Sequence, residues 1–271
     1  MSHILIEKPL NLSRRAVYRL EKWMYTQNWL STSQLSFPDF MCIGSQKAGT
    51  TWLYENLRCH TQLFLPARKE LNYFSSKYRF YGLPLKAYSD YFDGAEGVKG
   101  EVTPCANISI KRIRFIKKMM PSLKLILIMR NPLDRMWAAA LMYLVRARGR
   151  SFESLTDDDF IKLFNNKDLY DRGDYPRILN NWRKVFPSEQ IHLCFYDNLV
   201  NDPESFLRSI LQFLNVDATI DLSNFPLTSK INKSPDFEIP AHLKMYLTNM
   251  YRDSMMTLEK EFPQISKQWK Y

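Results

Sequence analysis

Histidine and cysteine are scarce in this 271-residue chain, four of each, and neither is arranged for chemistry. His3, His60, His192 and His242 form no His-Glu-x-x-His or His-x-His pattern, so no metal site is indicated. Cys42, Cys59, Cys105 and Cys194 contain no Cys-x-x-Cys pair and no metal-ligand spacing. Read as buried thiols of a reducing compartment, beside a Met1 to Leu10 stretch without the long apolar core of a secretory signal, they predict a cytoplasmic location. No apolar run approaches a membrane span, and there is no internal repeat or low-complexity tract. Blocks of like charge are missing too. The formal net charge of +10 is scattered, which favours a nucleotide cofactor, an anionic lipid or an acidic glycan as ligand and places nucleic acid low.

The composition, 45% hydrophobic with 14% aromatic, is ample for a folded core, and no domain boundary stands out. One domain is expected over 1–271, with an N-terminal helix and linker at 1–37 and the core at 38–271. At the head of the core, Phe40-Met-Cys-Ile reads as a short buried strand, Gly44 to Gly49 as a turn, and Thr50 onward as a helix start. Backbone amides of such a turn and the positive end of the following helix converge on one anion, and Lys47 adds a full charge in the same loop. A nucleotide triphosphatase loop carries Gly, four residues, then Gly-Lys-Ser/Thr. Here Gly44 and Gly49 have the spacing, but Thr50 takes the lysine's place and the lysine moves inside the turn, to Lys47. That position suits the group attached to a single 5′-phosphate better than a distant γ-phosphate.

Elsewhere strands alternate with helices. Val98 to Val102, Lys124 to Met129 and Gln190 to Tyr196 read as strands, and 108–119, 133–148, 175–186, 203–214 and 241–262 as helices. The pattern predicts an α/β fold, a doubly wound, P-loop-type parallel sheet flanked by helices. Residues 13–30 predict an amphipathic helix packed over the domain through Val17, Leu20, Trp23 and Met24; its arginines leave a membrane-surface or partner-binding role as the alternative. Asp157 to Asp159 reads as an acidic helix start and not a metal site. Arg130 ends the clearest strand, where a kinase or ATPase places a Mg²⁺-binding Asp, and so suits a phosphate with no metal. Glu70, between Lys69 and the apolar set Leu71, Tyr73 and Phe74, reads on its own as a loop charge paired to Lys69 or Arg68. The aromatic residues around Tyr73, Tyr78, Phe80 and Tyr81 suit stacking on a sugar, a lipid or an aromatic alcohol.

Gly44-Ser-Gln-Lys-Ala-Gly-Thr-Thr51 resembles the 5′-phosphosulfate loop of sulfotransferases that use 3′-phosphoadenosine 5′-phosphosulfate (PAPS), and Leu127-Ile-Met-Arg-Asn-Pro-Leu-Asp-Arg135 resembles their 3′-phosphate element. Lys-Glu-Leu-Asn-Tyr-Phe74, Gly-Glu-Val-Thr-Pro104 and Asn181-Trp-Arg-Lys-Val-Phe186 look like the branch that contains heparan sulfate sulfotransferases and bacterial relatives. The resemblance implies that Ser45, Gln46, Lys47, Ala48, Gly49, Thr50 and Thr51 hold the 5′-phosphate and sulfonate. It implies that Arg130 and position 138 meet the 3′-phosphate, that Glu70 is the general base, and that Lys233 lies on a late loop covering the cofactor. Position 138 is a Ser in the family and Ala138 here, a lost hydrogen bond to a charged group worth about 1.5–3 kcal/mol. Val102 stands where the heparan sulfate branch has Lys. The expected activity is sulfonate transfer from PAPS to an acceptor hydroxyl on a small molecule, glycan or lipid, leaving 3′-phosphoadenosine 5′-phosphate (PAP). A P-loop nucleotide kinase and a non-catalytic nucleotide-binding module remain as alternatives; no nucleic-acid partner is expected, and peripheral membrane contact stays open.

Overall fold

The apolar run at 124–129 is a central strand, and the sheet is built outward from it. In the computed structural model, which describes residues 12–229 and 237–269, β1 (Phe40–Gly44), β2 (Leu63–Phe64), β3 (Val98–Val102), β4 (Lys124–Met129) and β5 (Ile191–Phe195) pair in parallel in the order β2-β3-β1-β4-β5. Every residue of β4 after Lys124 is buried. Its side chains alternate between two cores: Leu125, Leu127 and Met129 join Met41 and Ile43 on one face, and Ile126 and Ile128 join Phe40 and Cys42 on the other. A strand covered on both faces needs apolar residues at every position, which is why its sequence shows no alternation.

Helices close both faces. After α1 (Leu12–Thr26), α2 (Thr50–Leu57) covers the second face, later joined by α11 (Pro203–Leu214). Short α3 (Lys77–Gly82) and α4 (Lys86–Ser89), then α5 (Ile110–Met119), α6 (Pro132–Leu141), α7 (Asp157–Phe164), α8 (Lys167–Asp171), α9 (Tyr175–Arg183), α12 (Ala241–Glu261) and α13 (Ile265–Gln268) supply the first face. The remaining helix, α10 (Tyr196–Asn201), follows β5 directly. The acidic 157–159 patch is a helix start: Thr156 accepts from the Asp159 amide, the Asp159 carboxylate accepts from the Thr156 amide at 3.0 Å, and Arg150 pairs with it at 2.9 Å. Two-residue β2 is not legible as a strand in the sequence, since so short an edge carries no periodicity.

The N-terminal helix departs from expectation. It does pack over the domain, but through its polar face. Lys22 Nζ donates to the Leu83 carbonyl at 2.8 Å, Glu21 accepts from the Leu85 amide at 3.3 Å, and Arg15 and Arg19 sit over the Tyr78 and Tyr81 rings. Val17, Leu20 and Trp23, expected from their spacing to form the inward stripe, are 59%, 54% and 46% exposed.

The order of strands positions the site. From central β1 the chain goes out to edge strand β2, returns through β3 to β1's side, and then crosses over to β4 on the other side, so the loops that leave the neighbouring parallel strands β1 and β4 lie next to each other at the carboxyl edge. Ligands of α/β sheets bind in the crevice at such a reversal.

Candidate active site

The turn after β1 is held open by backbone geometry. Lys47 and Gly49 have φ of 68° and 84°, and the turn is tied to the sheet by the Ser45 amide donating to the Ile128 carbonyl at 2.9 Å. Gly49 is the N-cap of α2 and no side chain caps the helix, so its first amides point at whatever occupies the turn. A Cβ on Gly49 would lie 2.5 Å from Leu199 Cδ2 and 3.4 Å from the Tyr196 ring, so α10 packs directly on the turn. Ala48 and Thr50 are buried, Gln46 and Thr51 half-buried. Ser45 is 2% exposed, yet its Oγ has no hydrogen-bond partner, although it lies close enough to influence the Tyr175 hydroxyl. A buried hydroxyl left unpaired in an amide-lined turn fits a bound phosphate, which would accept from it.

Arg130 joins the same crevice from the end of β4. Its Nη1 donates to the Lys47 carbonyl at 2.8 Å, its backbone amide donates to the Tyr175 hydroxyl at 3.0 Å, and its guanidinium lies 4.6 Å over the Tyr196 ring. The lysine ammonium has its pKa pushed down, first by burial and then by the charges of Arg130 and Arg146. Cations that repel one another in this way favour an anion, whose arrival would relieve the repulsion. Arg146 sits on the π-helical turn Met142–Ala147 that continues α6, a distortion frequent at functional sites.

Glu70 stands on the other side of the turn, next to β3. Its amide donates to the Val102 carbonyl at 3.2 Å, and its carboxylate pairs with Lys69 at 2.6 Å while the side chain stays 44% exposed. Both Glu70 and Asn72 take left-handed backbone conformations, φ 61° and 57°, which is strained for residues with side chains and concentrates at functional sites. Beneath them Glu101 is 2% exposed and accepts from the Tyr88 and Thr103 hydroxyls. Burial pushes its carboxyl up to about 7, against the opposing effect of those hydrogen bonds. Thr103 Oγ1 in turn accepts from the Asn72 amide at 3.5 Å, which connects the buried acid to the Glu70 loop.

The structure thus brings Ser45 to Thr51 together with Arg130 and sets Glu70 one strand away. Ala138 is 4% exposed in the second turn of α6 and offers only a methyl group. Lys233 lies outside the described residues. Sequence reasoning does not reach Tyr175, Tyr196, Arg146 or Glu101. Tyr175 leaves a signal, because a tyrosine on a core-facing helix stripe must find a partner for its hydroxyl. The aromatic residues at 73–81, expected as a stacking surface for the acceptor, are mostly committed elsewhere. Tyr73 and Phe80 are 3% and 4% exposed, packed with Phe74 and Tyr88, while Tyr78 and Tyr81 lie beneath the α1 arginines.

A family model described as "Sulfotransferase domain" matches residues 37–259. Heparan sulfate glucosamine 3-O-sulfotransferase 5 of Homo sapiens is 29% identical over 195 residues, covering 69% of this chain and 56% of that protein. Membrane-associated sulfotransferase kil1 of Dictyostelium discoideum is 22% identical, covering 81% of this chain and 64% of that protein. The chain therefore spans about half to two thirds of the length of these relatives. Among solved structures, a sulfotransferase from Alicyclobacillus acidocaldarius superposes with a TM-score of 0.66 at 23% identity, covering 83% of this chain and 96% of that one. Mouse sulfotransferase SULT7A1 complexed with PAP gives 0.57 at 16% identity, covering 86% and 90%. The expectation of a cytoplasmic chain is overturned by these relatives, one of which is named as membrane-associated. The cysteine argument behind it fails on physical grounds: all four thiols are free and three are buried, and unpaired buried thiols survive in oxidising and reducing compartments alike. Among the described residues no helix is long and apolar enough to cross a membrane.

Proposed function

The chain belongs to the sulfotransferase domain family, and on that premise we propose that it transfers a sulfonate from PAPS to an acceptor hydroxyl on a small molecule, glycan or lipid. The observation that carries this reading is the contact of Arg130 with Lys47, which fuses a strand-end guanidinium and a turn lysine into one cationic crevice. PAPS supplies an activated sulfonate on a 5′-phosphate and carries a second phosphate at the 3′ position. The amides at the start of α2, with Ser45 Oγ and Lys47, hold the 5′ end, and Arg130 holds the 3′-phosphate. Lys47 stabilises the charge that develops on the leaving phosphate oxygen. Glu70 takes the proton from the acceptor hydroxyl as its oxygen bonds to sulfur, from the side opposite the leaving group. The Lys69 ion pair occupies one carboxylate oxygen and leaves the other for this work.

The test is a screen of acceptors with radiolabelled PAPS. Label transfer to an alcohol acceptor that Lys47→Ala removes supports the proposal; PAP binding with no transfer to any acceptor class refutes it. Such an outcome favours the second reading, a non-catalytic nucleotide-binding module, for which the missing hydroxyl at Ala138 is the specific observation.

A further inference from the structure

We infer that the outer face of α1 is a docking surface for an anionic lipid bilayer, independently of the reaction at the crevice. The seating of the helix fixes which face points outward. Lys22, whose side chain is 5% exposed, reaches the Leu83 carbonyl, Glu21 caps the Leu85 amide, Tyr25 is 9% exposed, and the Arg15 and Arg19 guanidinium groups rest on Tyr78 and Tyr81. These contacts hold one rotational setting, and in it the helix turns an apolar face away from the protein. Val17, Leu20 and Trp23 lie on that face with Met24 half-buried beside them, and Trp29, 66% exposed just past the helix end, packs edge-on against Trp23 with ring centroids 4.8 Å apart.

At about 100° per residue, Leu20 falls at the centre of the outward arc, with Val17 and Met24 on one flank and Trp23 on the other. Arg14 and Arg19 mark its two margins. The only carboxylate of the helix, Glu21, lies on the same margin as Arg14 but is 19% exposed, paired with Lys22 and accepting from the Leu85 amide, so its charge is already met within the protein and the margins keep the positive charge of Arg14 and Arg19. An apolar stripe bordered by arginines and carrying a tryptophan pair is the composition of a helix lying in the plane of a membrane interface. The charge selects the occupant: the stripe's margins complement anionic headgroups, and the whole chain, at +10, is drawn to the same surface. The exposed stripe is therefore not a failed core face. The helix is held by its polar side so that its apolar side stays available.

The experiment uses the full chain and vesicles of phosphatidylcholine alone or with phosphatidylserine. Sedimentation is expected to show at least about tenfold tighter binding to the phosphatidylserine vesicles at low salt, with the advantage shrinking as salt rises. Brominated lipid should quench emission, and the quenched part should disappear in Trp23→Phe with Trp29→Phe. Leu20→Glu, which faces solvent and cannot disturb the core, should reduce vesicle binding at least tenfold while melting temperature and PAP binding stay unchanged. Arg14→Glu should cancel the preference for phosphatidylserine. No binding to anionic vesicles overturns the inference. So does vesicle binding that Leu20→Glu leaves intact, since charge elsewhere would then carry it. Self-association that Leu20→Glu abolishes, without vesicle binding, overturns it in favour of a second copy of the chain on this face.

Discussion

Glu101→Gln should change the pH dependence of stability in a direction and by an amount that follow from its burial. The carboxyl is fully buried, and its pKa stands near 7 against 4.5 for an ordinary glutamate. Below pH 4.5 the acid is protonated whether the chain is folded or unfolded, and the stabilisation is fully present. Between 4.5 and 7 the unfolded chain releases the proton while the native chain keeps it, so the native state binds more protons and stability falls as pH rises. A tenfold difference in proton affinity between the two states corresponds to about 1.4 kcal/mol, so the full loss is about 3 kcal/mol, of which roughly 2.5 kcal/mol falls between pH 5 and pH 8. For a chain of this length that is about 5 °C in melting temperature. Glutamine keeps the shape and an acceptor for one hydroxyl but does not titrate. The assay is thermal melting of both proteins at pH 5 and pH 8: the difference in Tm, variant minus wild type, should grow by about 5 °C toward pH 8. A difference independent of pH would refute the reasoning and mean that the carboxyl titrates normally.

Glu70→Gln should lower turnover by about 10²–10⁴ with PAP affinity unchanged, as measured by transfer assay and calorimetry on one preparation; near-normal turnover removes Glu70 from the role of base. Gly49→Ala places a methyl 2.5 Å from Leu199 at a φ of 84°, so PAP binding should fall by at least tenfold; unaltered calorimetry would show that the turn tolerates the displacement. Ala138→Ser restores a hydroxyl in the second turn of α6 and should tighten PAP binding by about tenfold or more, the equivalent of one hydrogen bond to a charged group; unchanged affinity would mean that position 138 does not face the 3′-phosphate.

Sheet and site differ in how much of them can be read from sequence. The β4 strand is legible because burial on both faces leaves a continuous apolar run, and Arg130 is legible because it terminates that run where ligands bind. The turn at Gly44 to Gly49 is legible for a related reason: φ of 84° at Gly49 with Leu199 close behind leaves room for no side chain. Other features depend on distant partners. Tyr175 reaches the Arg130 amide from 45 residues away, and Tyr196 lies under the guanidinium, contacts that no spacing encodes. In α1 the periodicity locates the apolar stripe correctly but not its direction. Lys22 and Glu21 meet backbone groups of the 83–85 segment, and those bonds, absent from any hydrophobic pattern, turn the stripe outward.

The central claim is a crevice that binds two phosphates of one nucleotide, with Lys47 at the 5′ end and Arg130 at the 3′ end. Calorimetric titration of PAP, 5′-AMP and ATP into the wild type and Arg130→Ala tests it most directly. PAP is expected to bind at least tenfold more tightly than 5′-AMP or ATP, and Arg130→Ala to erase the advantage over 5′-AMP. Equal affinity for PAP and 5′-AMP in the wild type, or tighter binding of ATP with Mg²⁺, would contradict it.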